Sequence, residues 1–113
     1  MDQIAKTLKV LSDANRIRIV CLLKERKMCV CELAVILGIT QPSISRHLKK
    51  LKQAGFIVEE QDSLWTNYLL KKTLSAQNAV FLKCLKRCVA DDATLRGDLK
   101  AAKKVNRQQL CCK

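Results

Sequence analysis

In 113 residues the chain sets 22 Lys and Arg against 10 Asp and Glu, a net charge of +12 at pH 7 with 49% hydrophobic residues, one Pro and three Gly. That is enough for one small domain and too little for two independent cores, and it is too apolar for a disordered tail. No apolar run approaches the ~20 residues that span a bilayer, and "MDQIAKTLKVL" has no signal-peptide core, so a soluble, cytoplasmic protein is expected.

The charge calls for a polyanionic partner, here nucleic acid and not a membrane surface. Aromatic residues make up only 4%, so aliphatic side chains must build the core. A core that thin predicts stability shared with a second subunit. Seven cysteines stand at 21, 29, 31, 84, 88, 111 and 112. The number is odd, and in a reducing compartment paired cysteines point to metal or redox chemistry more than to staples.

In chain order, "QIAKTLKVL" carries Ile4, Leu8 and Leu11 at helical spacing and predicts a first helix over 3–11. Ser12 and Asp13 are N-cap candidates for a second, with Ile17, Val20, Cys21 and Lys24 on one side. A short helix over 29–37, a turn at Gly38-Ile39 and a helix over 41–54 follow. Thr40 is its N-cap, Pro42 is tolerated in its first turn, and Gly55 is placed for a C-cap. This is the helix-turn-helix pattern, about 29–55. "FIVEE", "QDS" and "LWTNYLL" predict a β-hairpin over about 56–70, a wing. "LSAQNAVFLKCLKRCVA" predicts an amphipathic helix with Val80, Phe81, Cys84, Leu85 and Cys88 on one face. Asp91 and Asp92 open a last helix with Leu95, Leu99 and Ala102 inward. Residues 106–113, "NRQQLCCK", read as a flexible tail. The fold class expected is mainly α with a β-hairpin, a single winged helix-turn-helix domain over 1–113.

In the fourth helix Ser43, Arg46, His47 and Lys50 recur at i, i+3, i+4 and i+7, while Ile44, Leu48 and Leu51 occupy another face. Residues 40–55 contain four Lys or Arg and no acid. Arg and Lys can contact phosphates or guanine edges, and Gln, Ser and His can read other base edges. Gln41, Ser43, Ser45, Arg46, His47 and Lys50 are therefore the candidate contacts to double-stranded operator DNA.

The stretch from about 8 to 70 resembles the ArsR/SmtB family of bacterial winged-helix repressors. "LKVLSDANRIRIVCLL" resembles its opening helices, "CELAVILGITQPSISRHLKKLKQAGFIVEE" its DNA-reading segment, and "WTNYLL" the end of its wing. The resemblance implies a homodimer, with 3–11 and 74–105 as dimerisation helices, that leaves its operator when an inducer binds. The family's wing is often basic; here Glu59, Glu60 and Asp62 would repel phosphate, with Lys71 and Lys72 nearby.

"CVCEL" resembles the metalloid box of the arsenic- and cadmium-sensing branches. Thiolates select soft, thiophilic ions, and a helix N-terminus beside Arg26 and Lys27 favours the ionised thiol. Residues i and i+2 of a regular helix point about 200° apart. Cys29 and Cys31 therefore share an ion only if the first turn unwinds or lies outside the helix, which would couple capture to DNA release. Cys111 or Cys112 could supply a third thiolate. Arsenite or antimonite is the inducer expected, with cadmium or lead as the alternative and no organic cofactor.

Cys84 and Cys88 could form a two-thiol site, but their apolar neighbours favour core or dimer packing. Cys21 together with Cys84 or Cys88 resembles the family's reactive-sulfur sensors, a second alternative. The family's zinc site is absent, since 73–90 contain no His or carboxylate. A cysteine nucleophile needs a base, and the lone histidine, His47, lies on the proposed DNA face, so no enzyme is expected.

Overall fold

The computed structural model describes residues 1–105; the expected tail at 106–113, with Cys111 and Cys112, lies outside the described residues. The chain runs α1 (Asp2–Leu11), α2 (Ala14–Glu25), α3 (Val30–Leu37), α4 (Gln41–Gln53), β1 (Ile57–Asp62), β2 (Trp65–Leu70), α5 (Ala76–Cys88) and α6 (Ala93–Lys104). It is mainly helical with one antiparallel hairpin, the fold class expected from the sequence. No helix among the described residues is long and apolar enough to cross a membrane.

Four of the helices start at a capping side chain. The side chains of Asp13, Thr40, Ser75 and Asp92 accept the backbone N–H of Arg16, Ser43, Asn78 and Leu95 at 3.2, 3.3, 3.1 and 3.0 Å, satisfying donors that the first helical turn leaves open. Gly38 ends α3 at φ +72°, a left-handed conformation that glycine adopts without steric cost. Gly55, at φ +86°, ends α4 where Asn78 Nδ2 stands 3.3 Å from the site of any Cβ. The same Asn78 donates to the Ala54 carbonyl at 2.9 Å, tying α5 to the end of α4.

Ile19, Leu22, Leu33, Ile44, Leu48, Leu51, Phe56 and Ile57 form the centre of the core. The buried side of α2 is Ile19, Val20, Leu22 and Leu23. The expected stripe of Ile17, Cys21 and Lys24 is displaced outward, because α2 packs against α1, α3, α4, α6 and β2 at once and so needs a wider apolar arc than one stripe. The face expected on α5 also differs. Phe81, Leu82 and Leu85 pack against the core, whereas Val80, Cys84 and Cys88 are exposed.

β1 and β2 pair from Ile57↔Leu70 to Asp62↔Trp65 around a turn at Ser63 and Leu64, with Ser63 left-handed at φ +54°. Met28, fully buried, adds one bridge, exchanging backbone hydrogen bonds with Tyr68 at 3.1 and 2.8 Å. The segment before α3 is thereby stitched to the hairpin.

α6 is held to α2 by Arg18, whose Nε and Nη2 donate to the two carboxylate oxygens of buried Asp98, both at 2.8 Å. This paired geometry is the strong form of a guanidinium–carboxylate contact. Asp98→Ala leaves the guanidinium without its partner and is expected to cost about 2–3 kcal/mol, read as a lowered urea midpoint at unchanged slope.

Candidate nucleic-acid interface and thiol site

α4 is amphipathic as its spacing requires: Ile44, Leu48 and Leu51 are buried against the domain. Of the six candidate DNA contacts, Gln41, Ser45, Arg46 and Lys50 are exposed, and Ser43 and His47 are half-buried. Ser43 sits within a small polar cluster at the start of α4, its hydroxyl bonded to Thr40 Oγ1 at 3.0 Å and to Arg46 Nη2 at 3.2 Å. Arg46 is thus partly oriented by a residue of its own helix.

His47 is turned toward the scaffold. Its Nδ1 accepts from Arg16 Nε at 3.1 Å, and Arg16 also donates to the Val10 carbonyl at 3.3 Å. One guanidinium therefore ties the end of α1, the start of α2 and the reading helix. Burial holds His47 below the ordinary histidine range, opposed by the Asp13 charge and assisted by Arg16 and Arg46. Nothing in the sequence pattern singled out Arg16, which lies 31 residues from its partner.

The acids of the wing are locally answered. Glu59 meets Lys52 Nζ at 2.7 Å, and Glu60 meets Lys27 Nζ at 2.7 Å. The expected repulsion from the hairpin is thereby softened, and Lys52 and Lys27 are spent on it.

The two cysteines of "CVCEL" occupy different settings. Cys29 is the N-cap of α3, with extended backbone at φ −93° and ψ 171°, so it lies just outside the helix and the opposed-face geometry of a regular coil does not apply. It is buried, 3% exposed, and burial pushes its thiol up. The expectation that the helix start and Arg26 and Lys27 would favour the thiolate fails here: desolvation outweighs them, and both cations are committed to carboxylates.

The carboxylate that completes this cap is Glu32. Buried itself, it accepts the Cys29 N–H at 3.0 Å and Arg26 Nη1 at 2.9 Å, while Arg26 Nη2 reaches the Ala102 carbonyl at 3.0 Å. The cap, α3 and α6 thus share one polar knot. Cys-x-x-Glu has the spacing of a capping box, the signal from which Glu32 is legible.

Cys31 lies in the first turn of α3, and its Sγ accepts a long contact from Gln41 Nε2 at 3.6 Å. Gln41 is the first residue of the reading helix. The cysteine box and the candidate DNA face therefore meet at one pair of side chains.

Because His47 is held toward its neutral form, its stabilising contribution is complete above the ordinary histidine pKa and is lost as pH falls from there through the lowered folded value. Lowering pH from about 8 to about 5.5 is expected to reduce the thermal midpoint of the wild-type chain more than that of His47→Gln, as read by circular dichroism.

Residues 13–58 match the signature of the bacterial regulatory protein, arsR family. Among curated relatives, the arsenical resistance operon repressor of Escherichia coli is 37% identical over 81 residues, covering 71% of this chain and 69% of that protein. The cadmium resistance transcriptional regulatory protein CadC of Listeria innocua is 38% identical over 64 residues, 56% of this chain and 54% of that one. The matched stretches thus span from about half to just over two thirds of these relatives. In structure, the chain resembles a homodimeric winged helix-turn-helix DNA-binding domain from Mycobacterium bovis, with TM-score 0.63, 25% identity, and 81% and 82% of the two chains covered. The family is one of transcriptional regulators and not of enzymes. With its helix-turn-helix, hairpin wing and basic α4 in the same order, this chain belongs to the arsR family of bacterial regulatory proteins.

Proposed function

We propose that the chain is a homodimeric repressor that occupies operator DNA through α4 and releases it when trivalent arsenic or antimony binds Cys29 and Cys31. The observation that carries this reading is the contact between Cys31 Sγ and Gln41 Nε2. An ion taken up at Cys31 competes for the sulfur lone pairs that Gln41 engages, and so acts on the first residue of the reading helix without a relay. Binding that favours the rearranged state lowers operator affinity by the same free energy. Among the described residues no three metal-ligating side chains gather, so the third thiolate in this reading comes from Cys111 or Cys112.

The raised Cys29 thiol supports a metalloid over a divalent cation. Arsenite condenses with protonated thiols, As(OH)3 + 3 RSH → As(SR)3 + 3 H2O, and the thiol protons leave as water. Cadmium or lead instead displaces protons from the same thiols, at a cost that grows as the thiol pKa rises. The likeness to arsenical and cadmium repressors keeps both ions in the test. The reactive-sulfur alternative has less support. Cys21 lines a cavity of about 760 Å³ with Leu82, Leu85 and Lys86, a wall to which Cys84 and Cys88 do not contribute.

The dimer has support in Ile4 and Leu8 on α1 and Val80 on α5, apolar side chains left exposed on two adjacent helices, joined by Gln77 Nε2 donating to Thr7 Oγ1 at 3.2 Å. The homodimeric neighbour is built on the same fold.

For the DNA face, Arg46→Ala is expected to weaken binding to a selected operator by about 1–3 kcal/mol in a fluorescence anisotropy titration; unchanged affinity removes α4 as the reading helix. For the switch, the double variant Cys29→Ser/Cys31→Ser should bind the operator normally and ignore arsenite in a gel shift. In the wild-type chain, arsenite-driven release is expected to vary little with pH, whereas cadmium-driven release should steepen as pH rises. Equal arsenite response in the double variant defeats the assignment of these ligands.

A further inference from the structure

Four cations meet in a cleft between α1, the start of α2 and the end of α4. The cleft encloses about 420 Å³ and is lined by Lys6, Lys9, Arg16 and Lys50 with Gln3 and Gln53, and no carboxylate enters its wall. Among the described residues none of these four cations forms a salt bridge, whereas Arg18, Arg26, Lys27 and Lys52 all do. A cation in the last turn of a helix favours that helix end, which accounts for Lys9 and Lys50 one at a time. It does not account for four cations around one hollow.

We propose that this cleft seats a backbone phosphate of the bound duplex, with Lys6 and Lys9 of α1 and Lys50 of α4 closing on its oxygens. The inference rests on the reading that α4 occupies operator DNA, and it adds α1 to the surface that does so.

Continuity makes a duplex the occupant. Lys50 lies one turn after Arg46 on the outward stripe of α4 and also lines the cleft. A strand whose bases meet that stripe therefore runs past the hollow. Phosphate contacts of this kind fix the register of a protein on its duplex without reading sequence.

The subunit contact leaves the cleft open. Lys9 and Lys6 are exposed, and they lie about 140° and 200° around the coil from Ile4. The apolar side of α1, with Ile4 and Leu8 exposed, thus points elsewhere. α1 is two-sided, apolar toward its partner and basic toward DNA.

The walls are fixed in advance. Arg16 donates to the Val10 carbonyl at 3.3 Å and to His47 Nδ1 at 3.1 Å. The first turn of α5 grips both lips, Gln77 through Thr7 Oγ1 at 3.2 Å and Asn78 through the Ala54 carbonyl at 2.9 Å. A hollow whose width is set before binding loses less entropy when it is filled.

The test titrates the full chain by fluorescence anisotropy against a selected operator and a scrambled duplex, across a range of salt concentrations. Lys6→Gln/Lys9→Gln, checked for wild-type circular dichroism, removes one phosphate contact. The slope of log affinity against log salt should become shallower by about 0.9, a loss of about 8-fold at 0.1 M salt that closes toward 1 M. The loss should be equal on both duplexes, because a phosphate carries no sequence information. Lys6→Arg/Lys9→Arg is expected to keep the wild-type slope. So is the charge-matched pair Lys100→Gln/Lys103→Gln on α6, which separates a seated phosphate from bulk charge. Inorganic phosphate at matched ionic strength is expected to leave wild-type affinity unchanged.

An unchanged slope in the Lys6→Gln/Lys9→Gln chain, an equal change in the α6 pair, or a loss confined to the operator overturns the proposal. So does release by inorganic phosphate that the Lys6→Gln/Lys9→Gln chain escapes, since the occupant is then a free anion. A wild-type chain that binds no duplex defeats the repressor reading itself; wild-type binding with any of these results defeats the cleft alone.

Discussion

The carboxylate of Glu32 is where three parts of the molecule are made to agree. It is 4% exposed and charged, a placement that would be costly without partners. It finds them in the backbone N–H of Cys29 and the guanidinium of Arg26, whose other arm holds the Ala102 carbonyl of α6. The start of α3, its extended N-cap and the last turn of α6 are therefore fixed relative to one another by directional bonds and not by apolar packing alone. Everything proposed for Cys29 takes place inside that frame. A ligand that draws the Cys29 sulfur away must work against the bond from the Cys29 N–H to Glu32.

α4 is held from both ends and from one flank. Thr40 and Ser43 organise its first turn, Asn78 secures its last, and Arg16 clamps His47 along its side. Rigidity of this kind is what base reading requires, because a side chain that is already placed loses less entropy on contact. At its first residue the Gln41 amide meets Cys31 Sγ at 3.6 Å.

Much of this was legible in the residues. Period 3.6 in α4 gave the split between Ile44, Leu48 and Leu51 and the polar stripe, and Asp13, Thr40 and Asp92 declared helix starts through their own short side chains. Gly38 and Gly55 marked turns because both need positive φ. What escaped was long-range: Arg16 with His47, Arg18 with Asp98, Met28 with Tyr68, each a partnership between residues far apart in the chain. The buried arc of α2 was misjudged because a helix contacted from several sides shows no single stripe. The Cys29 environment was misjudged for a related reason. Its neighbours in sequence, Arg26 and Lys27, are cations, yet its neighbours in space are a buried carboxylate and the core.

The paired acids of the wing carry a consequence for how strongly the protein grips any duplex. Each lysine that reaches a phosphate displaces condensed counterions, and the number displaced sets how steeply affinity falls with ionic strength. Lys52 and Lys27 already neutralise Glu59 and Glu60, so of the 22 Lys and Arg these two contribute little to that displacement. The grip on non-specific DNA is correspondingly weaker than that count of cations implies, and in the proposed docking a larger share of the binding free energy falls to α4. A repressor built this way searches a crowded genome with less time lost on wrong sequences.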